Sequence, residues 1–370
     1  MKEDYNERYP LNGTFELTAR CNLSCKMCFI RIDNKRMAEL GGRERTADEW
    51  IHMAEEIQEA GTGALLLTGG EPLLRPDFIK IYKAIAQMGF MLTLYTNATL
   101  ITDEIMEVFK EYPPHSIGIT VYGASPETYE KVTGSAKAYY KMLEGVDKLK
   151  QLPSAITIRT TIIKDNLDDF NKMKEWASRK GDFKISRIVT KSVRGGVAEV
   201  EKCRLSPEES MEIIRERTNE IYIKTLCSYL NDNLDVDLIQ QSSAECNINS
   251  TNEASQKHNY LYGCDAGIVN FTITWDGKLV GCQLLNDCWT YPFEEGFATA
   301  WEKYPQLVDI PPVPKECINC KVPCSACPAN RLAETGALNG IPQYHCQESK
   351  YVNEMFYKLT GEIDELIRKE

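Results

Sequence analysis

Over its first half, the chain alternates between short apolar segments and longer segments with helical signals. The apolar segments are continuous, which is typical of parallel strands that are buried on both faces of a sheet. Right-handed crossovers curl such units around a common axis, and eight of them close a barrel. The sequence therefore predicts an α/β fold, an open partial (β/α)6 barrel of TIM type, with a flat doubly wound sheet as the alternative. The six predicted strands lie near residues 14–18, 63–68, 90–95, 116–122, 155–163 and 184–189.

Helical segments fill the intervals between these strands. One of them, residues 126–149, is interrupted near Gly134, a residue that favours helix ends. The alternation stops after the sixth strand, where residues 207–230 are predicted as one long helix and 241–259 as a polar loop. We predict a barrel domain at residues 1–200, a helical and polar linker at 201–262, and a cysteine-rich domain at 263–370 that ends in a helix.

The composition restricts the partners that the chain can have. Hydrophobic residues make up 43% of its 370 residues, which allows a sizeable core, and the net charge of −11 disfavours nucleic acid and anionic membranes as partners. The N-terminal residues are charged rather than apolar, and no apolar run is long enough for a membrane span. Fourteen cysteines in a chain with no export signal indicate metal or redox chemistry rather than disulfides. We therefore expect a cytoplasmic protein.

Three cysteines lie within eight residues directly after the first predicted strand. These are Cys21, Cys25 and Cys28, on the edge of the barrel where catalytic groups of such folds lie. Three thiolates on one tight loop suit a [4Fe-4S] cluster, which normally takes four cysteine ligands. One iron is then left open for a substrate or cofactor. Buried structural thiols and a partial zinc knuckle are the alternative interpretations.

The spacing C-x3-C-x2-C, with the apolar Met27 before its last cysteine, resembles the signature of the radical S-adenosylmethionine (radical SAM) superfamily. In that family, the open iron binds the amino and carboxylate groups of S-adenosylmethionine. The sequence from Thr68 through Gly69, Gly70 and Glu71 to Pro72 follows the second strand and resembles the family's GGEP motif. The resemblance implies that the backbone and polar atoms of this motif hold the methionine amino group.

Later strand ends supply further residues that the same resemblance assigns to the cofactor. Asn97 would lie near the ribose, although it could equally cap the end of the third strand. Thr120 stands where related enzymes have a serine that contacts the cofactor. Arg159 on the fifth strand would bind the methionine carboxylate, or form an internal ion pair instead, and Arg187 on the sixth strand is its rival.

A second group of cysteines begins with Cys264. Twelve residues lie between Cys264 and Gly277, and four lie between Gly277 and Cys282. A zinc ribbon needs two C-x2-C pairs separated by more residues than the three found between the later pairs here. The region resembles the SPASM extension of radical SAM enzymes, with the spacing shortened in its second half. The later cysteines are Cys317, Cys320, Cys324, Cys327 and Cys346.

The SPASM resemblance implies two auxiliary iron–sulfur clusters, each of the [4Fe-4S] type. One would be held by Cys317, Cys320, Cys324 and Cys346. The other would be held by Cys264, Cys282 and Cys327. Its fourth ligand is Cys288 or Cys246, or else one iron is open and could bind substrate.

The implied activity is that of an oxidoreductase that cleaves S-adenosylmethionine to a 5′-deoxyadenosyl radical, which takes a hydrogen atom from the substrate. The leading hypothesis is modification of a ribosomally made peptide by a thioether, a carbon–carbon crosslink or oxidation. Gln283 stands where sulfatase-maturing relatives have an aspartate base, which argues against that activity. The alternatives are dehydrogenation or decarboxylation of a small molecule, and a non-catalytic iron–sulfur or zinc protein. An external flavodoxin-type or ferredoxin-type electron donor is the expected partner. A peptide-recognition module is found at the N-terminus of many peptide-modifying relatives and is not seen here, so three alternatives stay open. Recognition is by a separate protein, recognition is by the catalytic domain itself, or the substrate is not a peptide.

Overall fold

A computed structural model describes residues 8–186, 189–211, 213, 261–320, 322, 324 and 327–354. These residues fall into two compact units. The first unit is drawn from residues 1–204 and 260–309, and the second from residues 205–259 and 310–370. The predictions for Arg187, Cys246 and the polar segment 241–259, and most of the predicted helix 207–230, lie outside the described residues.

The first unit is built on one eight-stranded sheet with the strand order β6-β5-β4-β3-β2-β1-β7-β8. Strands β1 to β7 are paired in parallel, and only β8 is antiparallel to its neighbour. The six predicted strands are confirmed, and β7 and β8 are two strands that the alternation did not indicate. Because β6 and β8 are the two edges of this sheet, the sheet is open, as predicted. The strands are β1 (Asn12–Glu16), β2 (Ala64–Thr68), β3 (Met91–Thr96), β4 (Ser116–Thr120), β5 (Ala155–Thr161), β6 (Asp182–Ser186), β7 (Asn270–Ile273) and β8 (Leu279–Val280).

The helices of the first unit connect these strands. A capping box between Thr46 and Glu49 begins the second helix, and a left-handed Gly134, at φ +76°, ends the fifth, where the sequence predicted an interruption. The helices are α1 (Asn34–Leu40), α2 (Ala47–Glu59), α3 (Phe78–Gln87), α4 (Asp103–Glu111), α5 (Pro126–Thr133), α6 (Ala136–Leu149), α7 (Phe170–Ser178), α8 (Val200–Cys203), α9 (Pro292–Glu295) and α10 (Phe297–Leu307), with 3-10 turns at Pro72–Leu74 and Lys164–Asp169.

Strand β1 lies between β2 and β7, and its register places their ends together. Glu16 at the end of β1 is opposite Thr68 at the end of β2, and Phe15 is opposite Ile273 at the end of β7. The loops that follow all three strands therefore lie together at the edge of the sheet formed by the C-terminal ends of these strands. Behind this edge, Phe15 packs on the fully buried Trp50 of α2, with ring centroids 4.8 Å apart.

The second unit is helical in its described part. It contains α11 (Lys315–Ile318), α12 (Pro328–Thr335) and a helical segment at 343–354. The last of these segments contacts the start of the unit, because the Tyr344 hydroxyl donates to the Leu205 carbonyl at 2.9 Å and the Tyr351 hydroxyl donates to Glu208 at 2.6 Å. No helix in the described part of the chain is long and apolar enough to span a bilayer.

Candidate cluster, cofactor and substrate site

The first cysteine loop joins β1 to α1 and is held in place by the protein itself. The N–H groups of Ser24 and Lys26 donate to carbonyl oxygens in the last turn of α5, at 2.9 and 3.1 Å. The guanidinium of Arg31 donates to the carbonyl oxygens of Ser24 and Cys25, at 2.8 and 3.4 Å. Arg31 was not singled out from the sequence, since its contacts exist only in the folded loop. The loop is therefore shaped by contacts that do not need a bound cluster.

The three thiols of this loop interact electrostatically with one another. Burial raises the pKa of Cys21 to about 12. The pKa of Cys25 is also raised, mainly by burial and to a smaller extent by the neighbouring Cys28 and Cys21. Such thiols stay protonated at neutral pH unless a bound cation draws off their protons, as metal binding does.

A single metal ion and a cluster differ in how they distribute their ligands. A zinc ion takes all of its ligands on one atom, whereas a cubane distributes them over separate irons. Within the described ranges, no three Cys, His, Asp or Glu side chains are placed so that they could bind one metal ion. The Cys21 sulfur also accepts hydrogen bonds from the Leu23 N–H at 3.4 Å and the Asn97 amide at 3.9 Å, contacts of the kind that tune cluster potentials.

Gly69 and Gly70, in the motif after β2, allow the chain to lie close to the backbone of residues 18–20, which lead into the first cysteine loop. Gly69 has φ +147°, and a Cβ on it would lie 2.4 Å from the Thr18 carbonyl oxygen. A Cβ on Gly70 would lie 2.3 Å from the Arg20 carbonyl oxygen. The N–H groups of Gly70 and Glu71 donate to these same two carbonyls, at 2.7 and 2.9 Å. Only glycine permits this close approach.

Glu71 joins the ends of β2 and β3. Its buried carboxylate accepts hydrogen bonds from the Thr96 hydroxyl and the Asn97 N–H, both at 2.8 Å, and from the Leu73 N–H at 3.2 Å. Burial raises the pKa of Glu71 to about 7, although these hydrogen bonds oppose the shift. The carboxylate thus holds the strand ends together, and its contact with a cofactor stays a prediction.

The Asn97 side chain links the end of β3 to the cysteine loop. It donates to Asn22 at 3.0 Å, and Asn22 in turn donates to the Thr99 hydroxyl at 2.8 Å. Both interpretations of Asn97 from the sequence are compatible with this position.

Thr120 and Arg159 are opposite each other in the β4–β5 register. The Arg159 guanidinium donates to the Tyr95 hydroxyl at 2.8 Å and lies 4.7 Å from the centre of that ring. Arg159 therefore makes a cation–π contact with Tyr95. Its contact with a cofactor carboxylate stays a prediction.

The Cys264–Gly277–Cys282 element is the β7–β8 hairpin. Cys264 precedes β7, Cys282 follows β8, and Gly277 lies in the turn at φ +88°, where its N–H donates to the Thr274 carbonyl at 2.8 Å. The spacing of the element thus equals two short strands and one turn. The turn residue Trp275 packs against Ala19, which precedes the first cysteine loop.

Of the two candidates for a fourth ligand, only Cys288 lies among the described residues. Its thiol is 3.5 Å from an Asp287 oxygen and 3.6 Å from the Tyr262 hydroxyl. Burial raises the pKa of Cys288 to about 11. Cys288 is therefore part of a polar network with a carboxylate, an environment that disfavours its thiolate.

In the second unit, three cysteines interact electrostatically with Cys346. Burial raises the pKa of Cys346, and Cys324, Cys317 and Cys320 raise it further. These are the four residues that the sequence predicted around one auxiliary cluster. Cys327 is the N-cap of α12.

A cavity of ≈ 210 Å³ lies on the other side of β1 from the glycine motif. Its lining includes Arg36 of α1, Arg194 and the hairpin residues Trp275, Asp276 and Lys278. Sequence reasoning missed these residues. The one signal of this site in the sequence is Glu16 at the end of β1, a charged residue in an apolar strand. The structure shows that Glu16 forms a buried ion pair with Arg194.

Three comparisons with known proteins agree with this geometry. Residues 15–177 match the model of the radical SAM superfamily. An AdoMet-dependent heme synthase of Methanosarcina barkeri is 28% identical over 87% of this chain and 92% of its own length. A PqqA peptide cyclase of Bradyrhizobium diazoefficiens is 25% identical over 58% of each chain.

The fold is also found in a solved structure. Streptococcus suis SuiB bound to the precursor peptide SuiA matches with a TM-score of 0.66 and 16% identity, over 92% of this chain and 76% of SuiB. The cysteine-rich C-terminal region fits the predicted SPASM extension. Residues 15–177 are thus similar to the radical SAM superfamily, and the fold that carries them is also that of SuiB.

Proposed function

We propose that the protein cleaves S-adenosylmethionine reductively and uses the resulting radical to modify a peptide. The observation that supports this best is the position of β1. The cysteine loop that follows β1 has the glycine motif of β2 on one side and the hairpin with Cys264 and Cys282 on the other. A cluster, its cofactor and a substrate cavity would thus share one edge of the sheet.

In this proposal, Cys21, Cys25 and Cys28 hold a [4Fe-4S] cluster. When bound, the cluster supplies one electron to S-adenosylmethionine and so initiates the radical chemistry. The motif from Thr68 to Glu71 binds the methionine amino group, and Arg159 orients the methionine carboxylate. The remaining work of the chain is to position these groups and to exclude water from them. An external flavodoxin-type or ferredoxin-type protein provides the electron.

The remaining cysteines are proposed to hold two auxiliary clusters. The interaction of Cys346 with Cys317, Cys320 and Cys324 supports the first. For the second, Cys264, Cys282 and Cys327 are proposed as ligands. Because the Cys288 thiol already contacts Asp287, we favour Cys246 or an open iron over Cys288 as the fourth position. These clusters would accept the electron that remains when the product radical is oxidised.

A peptide substrate is supported by the names of two similar proteins, the PqqA peptide cyclase and SuiB with its precursor peptide. A small molecule that bears carboxylates is the second candidate. Two observations favour it, namely the heme synthase relative that matches over almost its whole length and the cation-lined cavity.

Anaerobic reconstitution tests the proposal. We expect about twelve irons per chain, enough for three cubanes, and release of 5′-deoxyadenosine after reduction with dithionite. No release from a fully loaded protein would refute the enzyme hypothesis and leave an iron–sulfur carrier. A mass shift in a short peptide encoded beside the gene would establish the peptide substrate. If that peptide is unchanged and a tetrapyrrole carboxylate shows a mass shift instead, the second candidate is favoured.

A further inference from the structure

The cavity beside β1 has walls from three separate parts of the first unit. Helix α1 contributes Arg36, the segment after β6 contributes residues 193–195, and the β7–β8 hairpin contributes Trp275 and Lys278. Its volume of ≈ 210 Å³ would hold on the order of seven water molecules, at about 30 Å³ each. That is room for one acidic side chain or one propionate arm, and too little for a macrocycle or a folded peptide.

Arg194 is the most deeply buried charge in the lining. Its side chain is 9% exposed, and its two terminal nitrogens donate to the Glu16 carboxylate at 2.7 Å each. The third nitrogen of the guanidinium, Nε, is buried, and its N–H has no hydrogen-bond partner among the residues that the structure describes. A buried donor without a partner costs free energy and is commonly explained by a ligand or an ordered water.

The rest of the lining is also cationic. Arg36 donates to the Gly195 carbonyl at 3.2 Å, and Lys278 lies 3.1 Å from Asp276 and over the ring of Trp289. Three cationic side chains and the carboxylate of Asp276 thus line the cavity. Each of the three cations also pairs with a carboxylate, Arg194 with Glu16, Lys278 with Asp276, and Arg36 with Glu39 at 3.0 Å. Arginine is the side chain best suited to bind a carboxylate, through two parallel hydrogen bonds.

The segments that border the cavity lead to two groups of thiols. Glu16, the partner of Arg194, ends β1, and the first cysteine loop follows that strand. The hairpin that lines the cavity is followed by Cys282.

We propose that this cavity binds a carboxylate group of the substrate through Arg194, Arg36 and Lys278. The inference rests on the proposed function and specifies its substrate class, a molecule with an acidic side chain or a carboxylic arm. The bound carboxylate anchors the substrate, and the carbon that loses hydrogen lies outside the cavity, towards Cys28.

The test measures binding to the fully reconstituted protein by anaerobic equilibrium dialysis. One arm compares protoporphyrin, which has two propionates, with its diamide. The other arm compares a short peptide that contains two glutamates with the same peptide containing two glutamines. We expect an acid to bind tenfold or more tightly than its amide, about the effect of one charge-assisted hydrogen bond. The arm that shows the difference identifies the source of the carboxylate.

Lys278→Met and Arg36→Gln should each weaken binding of that acid about tenfold and leave binding of the amide unchanged. The matched control is Lys110→Met, on exposed α4, which should leave both unchanged. A Glu16→Gln, Arg194→Gln double variant replaces the ion pair by neutral amides of similar size and should also lose the preference for the acid.

Equal binding of acid and amide, no binding of either acid, or unchanged acid binding in the Lys278 and Arg36 variants would overturn the carboxylate site. The same preparations are assayed for 5′-deoxyadenosine release without substrate. Release together with a negative binding result would remove the carboxylate site while the proposed function stands. Absent release would refute the proposed function itself.

Discussion

Arg194 and Glu16 form a bidentate ion pair that connects the segment after β6 to the end of β1. Both N–O distances are 2.7 Å, and the two side chains are 9% and 1% exposed. The two residues are 178 positions apart in the sequence. This pair therefore fastens the far end of the β1–β6 series to the strand that leads into the first cysteine loop.

Breaking this pair should be strongly destabilising, because it leaves one buried charge without its partner. We expect Arg194→Gln to lower the free energy of unfolding by about 3–5 kcal/mol. The Glu16→Gln, Arg194→Gln double variant should lose less, since neither charge is left buried alone. Urea unfolding of the three proteins measures both effects. A double variant that is less stable than Arg194→Gln alone would contradict the explanation.

Replacement of Cys25 tests the first cysteine loop. Cys25→Ala should abolish release of 5′-deoxyadenosine and remove about four of about twelve irons per chain. The auxiliary clusters should stay bound, because their proposed ligands are other cysteines. Iron analysis and chromatography of the nucleoside products check the two parts separately. Retained cleavage in this variant would show that the loop does not hold the radical-forming cluster.

Gly70 and Gly63 lie at opposite ends of β2 and provide a matched pair of substitutions. A Cβ at Gly70 would lie 2.3 Å from the Arg20 carbonyl oxygen, whereas a Cβ at Gly63 would have no heavy atom within 4 Å. We expect Gly70→Ala to cost about 1–3 kcal/mol of stability and to weaken S-adenosylmethionine binding. Gly63→Ala should be neutral or stabilise the protein by up to about 1 kcal/mol. Denaturation midpoints and cofactor titration measure these effects, and equal effects of both changes would exclude close backbone approach as the cause.

Glu71 should make the stability of the protein depend on pH near neutrality. Burial raises its folded-state pKa from 4.5 to about 7, so the folded form retains a proton that the unfolded chain has lost. The stability due to this proton is fully present below about pH 4.5 and is lost as the pH rises through about 7, by up to about 3 kcal/mol.

The Glu71 prediction is measured against Glu71→Gln, which cannot titrate. The stability advantage of the wild type over this variant should be larger at pH 5.5 than at pH 8.5, with the cluster content held equal. Glu107→Gln, at an exposed position on α4, is the control and should show no such trend. A wild-type advantage that does not change between pH 5.5 and 8.5 would mean that Glu71 is charged in the folded protein throughout this range.

Local signals were sufficient to predict much of the fold. The six parallel strands and the interruption at Gly134 depend on residues that are neighbours in the sequence. The strands β7 and β8 are short, four and two residues, and lie within a cysteine-rich region whose spacing dominates the pattern. The pairing of β7 with β1 joins residues such as Asn12 and Asn270, which are 258 positions apart, and no local pattern records it.

The candidate site divides in the same way. Sequence alone determined which chemistry we propose for the chain, because the proposed ligand set of Cys21, Cys25 and Cys28 is a matter of residue type and spacing. Only the tertiary structure decided what surrounds that loop. It is the β1–β7 pairing that brings Lys278 to the cavity, and the crossover after β6 that brings Arg194 to Glu16. Burial and charge pairing arise from distant segments meeting, so these features exist only once the sheet has formed.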